Sequence, residues 1–304
     1  MKLLFASPIY EKAIDRLREK HDVVCAFNAS EEILQQHITD REVLIFRSGV
    51  NISADVLKCG PDMRLLIRAG SGLDNLDLEY AEQRGINLIR IPEPGAQAVA
   101  ELGFALMLAL ARQVVTADHS LRQGKWTKHE LSGFLLSGKT LGVYGAGSIG
   151  STIGRMGAAW NMNVVGCIKH PSDERATELA KQGIKLSTAA EVLAQADFLT
   201  INIPLSDKNR NLLGAQEFSS MKPGAYLINL ARGGIVNERD LQEALASGHL
   251  GGAGMDVHEK EGGGEISPLA QYPNVILTPH IGAMTIDSQK EIGERVIEIL
   301  ETDI

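Results

Sequence analysis

Short apolar runs alternate with segments whose apolar positions recur at helical spacing along nearly the whole chain. In the first part the runs are Leu3–Ile9, Val23–Phe27, Val43–Phe46, Leu65–Arg68 and Asn87–Ile91, separated by amphipathic stretches such as Glu11–Lys20 and Ser30–Gln36. Runs of this kind read as strands, each followed by a helix, which is the pattern of a parallel α/β sheet. They predict a first unit over residues 1–97, closed by Pro92-Glu-Pro-Gly95 as a breaker cluster. Ala98–Arg112 is apolar on nearly every face and predicts a buried helix. A loop-rich passage through Gly124–Trp126 and Gly133–Gly138 leads to a second series: Thr140–Tyr144, Val164–Ile168, Phe198–Ile203, Ala225–Leu230, Gly254–Val257 and Val275–Thr278. Helical segments near Asp173–Gln182, Ala189–Gln195 and Asn237–Ala246 separate these runs, as in a doubly wound sheet. The last helix, Ile286–Leu300, has no strand left to follow in that series. The expected architecture is therefore α/β with two doubly wound parallel-sheet domains, 98–283 lying between 1–97 and 284–304.

The strand at Thr140–Tyr144 runs into Gly145-x-Gly147-x-x-Gly150, and helical spacing follows at Ile149, Ile153, Met156 and Ala159. Strand before and helix after is the context a dinucleotide fingerprint requires. Gly145 would allow the tight turn, Gly147 the approach of backbone N–H groups to a pyrophosphate, and Gly150 close packing of helix on strand. The partial positive charge of the helix N-terminus would face the phosphates.

Composition narrows the functional classes. The 304 residues are ample for two cores, with 44% hydrophobic and 22% charged residues. A net charge of −8 leaves no basic footprint, so nucleic acid is not an expected partner. Pro8 and the charges from Glu11 interrupt the apolar start, which reads as a strand rather than a signal peptide. The apolar run Leu102–Ala111 is too short to span a bilayer, so no membrane is expected. Cys25, Cys59 and Cys167 form no paired spacing and read as buried thiols of a cytoplasmic protein. The eight histidines are scattered, and no metal is expected.

Three strand ends in the second series carry chemistry. Arg232, in Ile228–Ile235, offers a planar fork of donors to a carboxylate or carbonyl; the plainer alternative is a surface arginine. Gly254–Glu261 supplies carboxylates, or else is an acidic solvated loop. His280 follows Pro279 and is held stiffly, as a general acid/base should be, although a lone histidine there is more often structural. Together with a dinucleotide site, a guanidinium, a carboxylate and an imidazole make a working set for hydride transfer to a carbonyl.

Arg68-Ala-Gly-Ser-Gly-Leu-Asp-Asn75, Val99-Ala-Glu101, the fingerprint, Pro204-Leu205, Ala231-Arg-Gly-Gly234, Met255-Asp-Val257 and Thr278-Pro-His-Ile-Gly-Ala283 form an ordered set. Through them the chain resembles the D-isomer-specific 2-hydroxyacid dehydrogenases over almost its whole length. It is most similar to short D-3-phosphoglycerate dehydrogenases without a C-terminal regulatory domain. The resemblance implies a Rossmann cofactor domain inserted into a flavodoxin-like substrate domain, and a homodimer in contact through the Ala98–Trp126 region. It implies Arg232, Glu261 and His280 as the catalytic set, with His280 as acid/base. Substrate would be held by Arg232, His280, the backbone N–H groups of Ser71 and Gly72, and Arg47, for which a rim arginine is the alternative. Coenzyme contacts would come from Gly145, Gly147, Ser148, Ile149, Gly150, Ile168, Lys169, His170, Pro204, Ala231, Asp256, His280 and Gly282, with Asp256 facing the nicotinamide amide.

Departures from the family pattern are Gly262 for a usual proline, which would loosen the loop that aims Glu261, Gly95 for asparagine and Asn202 for histidine. The end of the second strand of the series reads Cys167-Ile168-Lys169-His170-Pro171, with no acid before Asp173. Without a carboxylate to hold the ribose 2′-hydroxyl, a 2′-phosphate is not repelled, and Lys169 or His170 could pair with it. NADP(H) is therefore expected to serve at least as well as NAD(H), unless Asp173 reaches back to the ribose. The expected activity is hydride transfer between this coenzyme and a D-2-hydroxy or 2-keto acid, with 3-phosphoglycerate first and glycerate, hydroxypyruvate or glyoxylate second. Formate oxidation fits poorly, because such enzymes carry glutamine where Glu261 stands. A dinucleotide-sensing corepressor is the alternative from another class; the chain stops soon after its last helix, without the long tails such proteins usually carry.

Overall fold

Alternate residues of a strand face opposite sides of its sheet, and in the first sheet both sides are covered. The computed structural model describes residues 1–70, 72–262 and 264–302. It divides into two compact units, Met1–Ala98 with Ala283–Ile304, and Val99–Gly282. The first unit is built from β1 (Lys2–Phe5), α1 (Glu11–Arg18), β2 (Asp22–Cys25), α2 (Glu31–His37), β3 (Val43–Phe46), α3 (Ala54–Lys58), β4 (Leu65–Arg68), α4 (Leu78–Gln83) and β5 (Asn87–Arg90). Its strands are parallel in the order β2-β1-β3-β4-β5, the flavodoxin-like arrangement. Every residue of the central strands β3 and β4 is buried, which is why they read as unbroken apolar runs.

Leu3, Phe5, Val43, Ile45, Leu65 and Ile67 point to one face and meet Ala13, Ile14 and Leu17 of α1. Leu4, Leu44, Phe46 and Leu66 point to the other and meet Leu34, Val56, Leu57 and Ala81. The chain returns to this unit in its last helix, Ile286–Thr302, whose Ile292, Val296, Ile297 and Leu300 complete the first of these cores. A Cβ added to Gly293 would lie 2.7 Å from the Ala13 Cβ, so that helix lies close against α1.

The helix α5 (Glu93–Ala111) carries the chain from the first unit into the second. The cluster Pro92–Gly95, expected as a breaker, instead opens this helix. Pro94 sits in the first turn, where the N–H it lacks would have no partner in any case. On length the expectation for the apolar run is also corrected: Pro94–Ala111 is long and apolar enough to cross a membrane, yet 61% of it is buried inside the protein, as in a core helix.

The second unit continues with α6 (Val114–Arg122), β6 (Thr140–Tyr144), α7 (Ser148–Ala159), β7 (Asn163–Cys167), α8 (Asp173–Lys181), β8 (Ile184–Leu186), α9 (Ala189–Gln195), β9 (Phe198–Ile201), α10 (Ala215–Ser220), β10 (Ala225–Asn229), α11 (Glu238–Ala246), β11 (Leu250–Met255) and β12 (Val275–Leu277). All its strand pairs are parallel, in the order β12-β11-β10-β9-β6-β7-β8. Among the described residues this sheet has seven strands, one more than the apolar pattern shows. The additional strand, β8, is three residues long with a lysine in the middle, too short to leave a periodic trace. Strand β11 starts at Leu250, before the run the sequence marks, because Gly251 and Gly252 belong to it. A Cβ there would lie 2.6 Å from the Gly224 carbonyl oxygen and 2.4 Å from that of Asn274, so only glycine lets the neighbouring backbone in. Of the three cysteines only Cys167 is buried; Cys25 and Cys59 are half-buried, and all three are free thiols. Strand order reverses around β6, which lies between β7 and β9, and open α/β sheets bind ligands beyond the strand ends at such a point.

Candidate active site

The turn after β6 is shaped by its glycines. Gly145 has φ 99°, and a Cβ on it would lie 2.8 Å from the Asn202 carbonyl oxygen. The N–H groups of Gly145 and Ala146 donate to the Cys167 carbonyl at 3.1 and 2.9 Å, which ties the turn to the end of β7. A Cβ on Gly150 would lie 2.1 Å from the Gly145 carbonyl oxygen, so α7 can start this close to the strand only with glycine there. A Cβ added to Gly147 would meet nothing within 4 Å beyond its own chain neighbours. Gly147 is the N-cap of α7, no side chain caps it, and Ser148 and Ile149 open the first turn. An open backbone approach at a helix N-terminus suits a pyrophosphate.

At the end of β7, Ile168 is half-buried and Lys169 and His170 are exposed. Asp173 lies in the first turn of α8, whose N-cap Ser172 accepts from the Arg175 N–H at 3.2 Å. Arg175 is not among the sequence candidates. Its Nη2 donates to the Ala146 carbonyl at 2.9 Å and its Nη1 pairs with Glu178, so a cation stands beside the fingerprint turn. No local pattern marks it, because Ala146 is 29 residues away.

Strands β10, β11 and β12 are parallel neighbours, so the segments that follow them leave the same edge of the sheet. After β10, the buried Asn229 bends the chain by accepting from the Ala231 N–H at 3.1 Å and donating to the Arg232 carbonyl at 3.2 Å. Arg232 Nη1 donates to the Ala231 carbonyl at 2.7 Å. A Cβ on Gly233 would lie 1.7 Å from the His258 carbonyl oxygen, so the Arg232 segment rests backbone to backbone on the Glu261 loop.

Asp256, 1% exposed, organises the segment after β12. Its Oδ1 accepts from Thr278 Oγ1 at 2.6 Å and from the Ile281 N–H at 2.9 Å, and its Oδ2 accepts from the Gly282 N–H at 2.8 Å. Its carbonyl accepts from the His280 N–H at 2.7 Å. These bonds hold His280 at φ 53°, a left-handed conformation uncommon for residues other than glycine. His280 Nδ1 lies 2.8 Å from Glu261 Oε2, while Glu261 Oε1 accepts from the His258 N–H at 3.3 Å. Burial works against ionisation of Glu261. The hydrogen bond and charge of His280, with the backbone N–H and charge of His258, outweigh it and hold the carboxyl below its usual range. A cavity of about 750 Å³ opens here, lined among others by His258, Glu261, Thr278 and His280. Gly262 takes φ 79°, which a proline ring forbids, so the loop follows a backbone path of its own and still delivers Glu261 to His280.

The Pro204 carbonyl accepts from Asn209 Nδ2 at 2.6 Å, and Asn202 Nδ2 donates to the Thr200 carbonyl at 3.3 Å. In the first unit Arg47 is no rim residue: it is 8% exposed, with Nη2 donating to the Ala283 carbonyl at 3.3 Å and Nη1 3.5 Å from Met284 Sδ. Burial lowers its pKa from the usual arginine value. The Gly72 carbonyl accepts from the Nε of the buried Arg68 at 2.7 Å; Ser71 lies outside the described residues. Among the described residues no group of three or more potential metal ligands is gathered.

Residues 104–282 match the model of the D-isomer specific 2-hydroxyacid dehydrogenase, NAD binding domain. The chain belongs to this family. It is 38% identical over 299 residues to D-3-phosphoglycerate dehydrogenase of Methanocaldococcus jannaschii, covering 98% of this chain and 56% of that protein. It thus spans little more than half the length of that relative. It is 35% identical to the hydroxypyruvate reductase of Thermotoga maritima, covering 96% of this chain and 94% of that one. The crystal structure of TT0316 protein from Thermus thermophilus superposes with a TM-score of 0.88 at 32% identity, covering 99% and 96% of the two chains. The second unit of this family member is a Rossmann domain for a nicotinamide dinucleotide.

The two fingerprint glycines should fail in different ways. Gly147→Ala should keep its melting temperature and lose at least about tenfold in coenzyme affinity, since a methyl group there meets no protein atom and would obstruct a pyrophosphate approaching the helix N-terminus. Gly150→Ala should lose about 1–3 kcal/mol or more in denaturant unfolding, because its methyl group meets backbone. Equal stability losses in both variants would contradict this division.

Proposed function

We propose that the protein transfers hydride between a nicotinamide coenzyme and a D-2-hydroxy or 2-keto acid, with 3-phosphoglycerate as first substrate and glycerate, hydroxypyruvate or glyoxylate as second. The observation that carries this reading is the Glu261–His280 pair at 2.8 Å, at the sheet edge where the segment of Arg232 rests on the His258 carbonyl. With its carboxyl held ionised, Glu261 accepts a hydrogen bond from the Nδ1–H and fixes the orientation of the imidazole, leaving Nε2 to exchange a proton with the substrate oxygen. A bound nicotinamide coenzyme supplies the hydride to the carbonyl carbon. Arg232 orients the substrate carboxylate through its planar fork of donors. In the first unit, Arg47 is the proposed anion contact: it is a buried guanidinium whose described partners are a carbonyl and a thioether rather than a carboxylate.

For the coenzyme, the absence of an acid at Ile168, Lys169 or His170 supports NADP(H) at least as strongly as NAD(H). A homodimer is supported by α6, which buries none of its residues and leaves Val114, Val115 and Leu121 exposed, with Trp126 79% exposed just beyond.

An absorbance screen of small 2-keto and 2-hydroxy acids, phosphorylated and not, with both coenzymes should show turnover, with NADP(H) at least as efficient. A preference for NAD(H) above about a hundredfold in kcat/KM, nearly 3 kcal/mol, would overturn the coenzyme assignment. His280→Gln should lose about a hundredfold or more in kcat while coenzyme affinity stays intact; loss of coenzyme binding in this variant would refute its proposed role. Sedimentation equilibrium should return the mass of two chains, and a monomer at micromolar concentration would speak against the dimer.

A further inference from the structure

We propose that His258 is a positioning residue for the Glu261–His280 pair, an inference that rests on the function proposed above. His258 stands where the three site segments meet. Its carbonyl oxygen occupies the space that a Cβ on Gly233 would need, next to Arg232. Its backbone N–H donates to Glu261 Oε1 at 3.3 Å. Its imidazole Nε2 lies 3.0 Å from the Thr278 carbonyl, which also accepts from the His280 N–H at 3.1 Å.

A carbonyl oxygen only accepts, so Nε2 carries the proton in this contact and Nδ1 is left to find another partner. That Nδ1 is buried and has no hydrogen-bond partner among the described residues. A side chain present only to fill space would do better without it, because a buried unpaired nitrogen costs stability that an apolar ring of similar size does not. Nor does the Thr278 carbonyl need the imidazole for its own satisfaction, since it keeps the His280 N–H. What the ring adds is a tether between the loop that carries Glu261 and the turn that carries His280. The carboxylate of Asp256 accepts from Thr278, Ile281 and Gly282, and the imidazole of His258 donates to the Thr278 carbonyl at the start of the same turn. With both in place, the left-handed His280 meets Glu261 in a single geometry.

The test compares His258→Phe, which keeps the bulk and removes the donor, with His258→Gln, which restores a nitrogen donor in place of Nε2. In the full chain, His258→Phe should lower kcat for keto-acid reduction about tenfold, as expected for a displaced acid/base group, with the coenzyme KM and melting temperature unchanged or the latter raised. His258→Gln should recover most of that rate. In coenzyme-free protein, amide hydrogen exchange over residues 278–282 should quicken in the Phe variant and return towards wild type in the Gln variant. Wild-type kcat and exchange in His258→Phe, or a Gln variant as impaired as Phe, would overturn the proposal. Should the Phe variant fail to fold, His258→Met carries the same comparison. If the wild-type protein reduces no 2-keto acid, the proposed function falls, while the exchange comparison still decides whether His258 holds the turn.

Discussion

The buried carboxylate of Asp256 is the interaction on which the site depends. Withdrawn from water, it is stable only because Thr278, Ile281 and Gly282 all donate to it. Those donors belong to one short turn, so satisfying the charge also fixes the path of the chain around His280. Hydrogen bonds to a charged group contribute about 1.5–3 kcal/mol each, against about 1–3 kcal/mol for a side chain held in a left-handed conformation. The turn therefore persists despite the strain at His280. Without the carboxylate, the same segment would have no reason to present its imidazole to Glu261 at 2.8 Å.

Glycine makes the second contribution, at the places where backbone must meet backbone. Gly150 lets α7 start against the turn of Gly145, and Gly233 lets the Arg232 segment rest on the His258 carbonyl. Neither contact tolerates a Cβ. The fingerprint and the Ala-Arg-Gly-Gly stretch thus do the same mechanical work, one to start a helix hard against its strand and the other to bring the backbone next to Arg232 onto the loop of Glu261. Gly147 differs, because its surroundings are open and its lack of a side chain matters to what approaches from outside.

Much of this was legible before any coordinates. Strand β3 and strand β4 are buried on both faces, so their residues had to be uniformly apolar, and that shows in a one-dimensional pattern. The alternation of such runs with amphipathic helices announces a parallel sheet, and the glycine spacing after β6 announces its ligand class. The pattern fails where length or local chemistry removes the signal. Strand β8 has three residues, the start of β11 is hidden by glycines, and Pro92–Gly95 looks like a stop although Pro94 is tolerated in a first helical turn. At Gly262, which stands where the family usually has proline, φ is 79°, a backbone route closed to proline, and Glu261 lies 2.8 Å from His280.

By itself the sequence determined the class of fold and the dinucleotide fingerprint, and it singled out Arg232, Glu261 and His280 as candidates, since each of these is written in residue type and short-range spacing. Only the tertiary structure decided which of them touch. The imidazole of His258 meets a carbonyl 20 residues away, Arg175 meets one 29 residues away, and Arg47 is buried where a rim position was equally open. Those outcomes depend on which strands lie side by side and on where their ends leave the sheet. Local pattern cannot carry that information, because the free energy that selects it comes from burial and hydrogen bonding between segments that are neighbours only once the chain has folded.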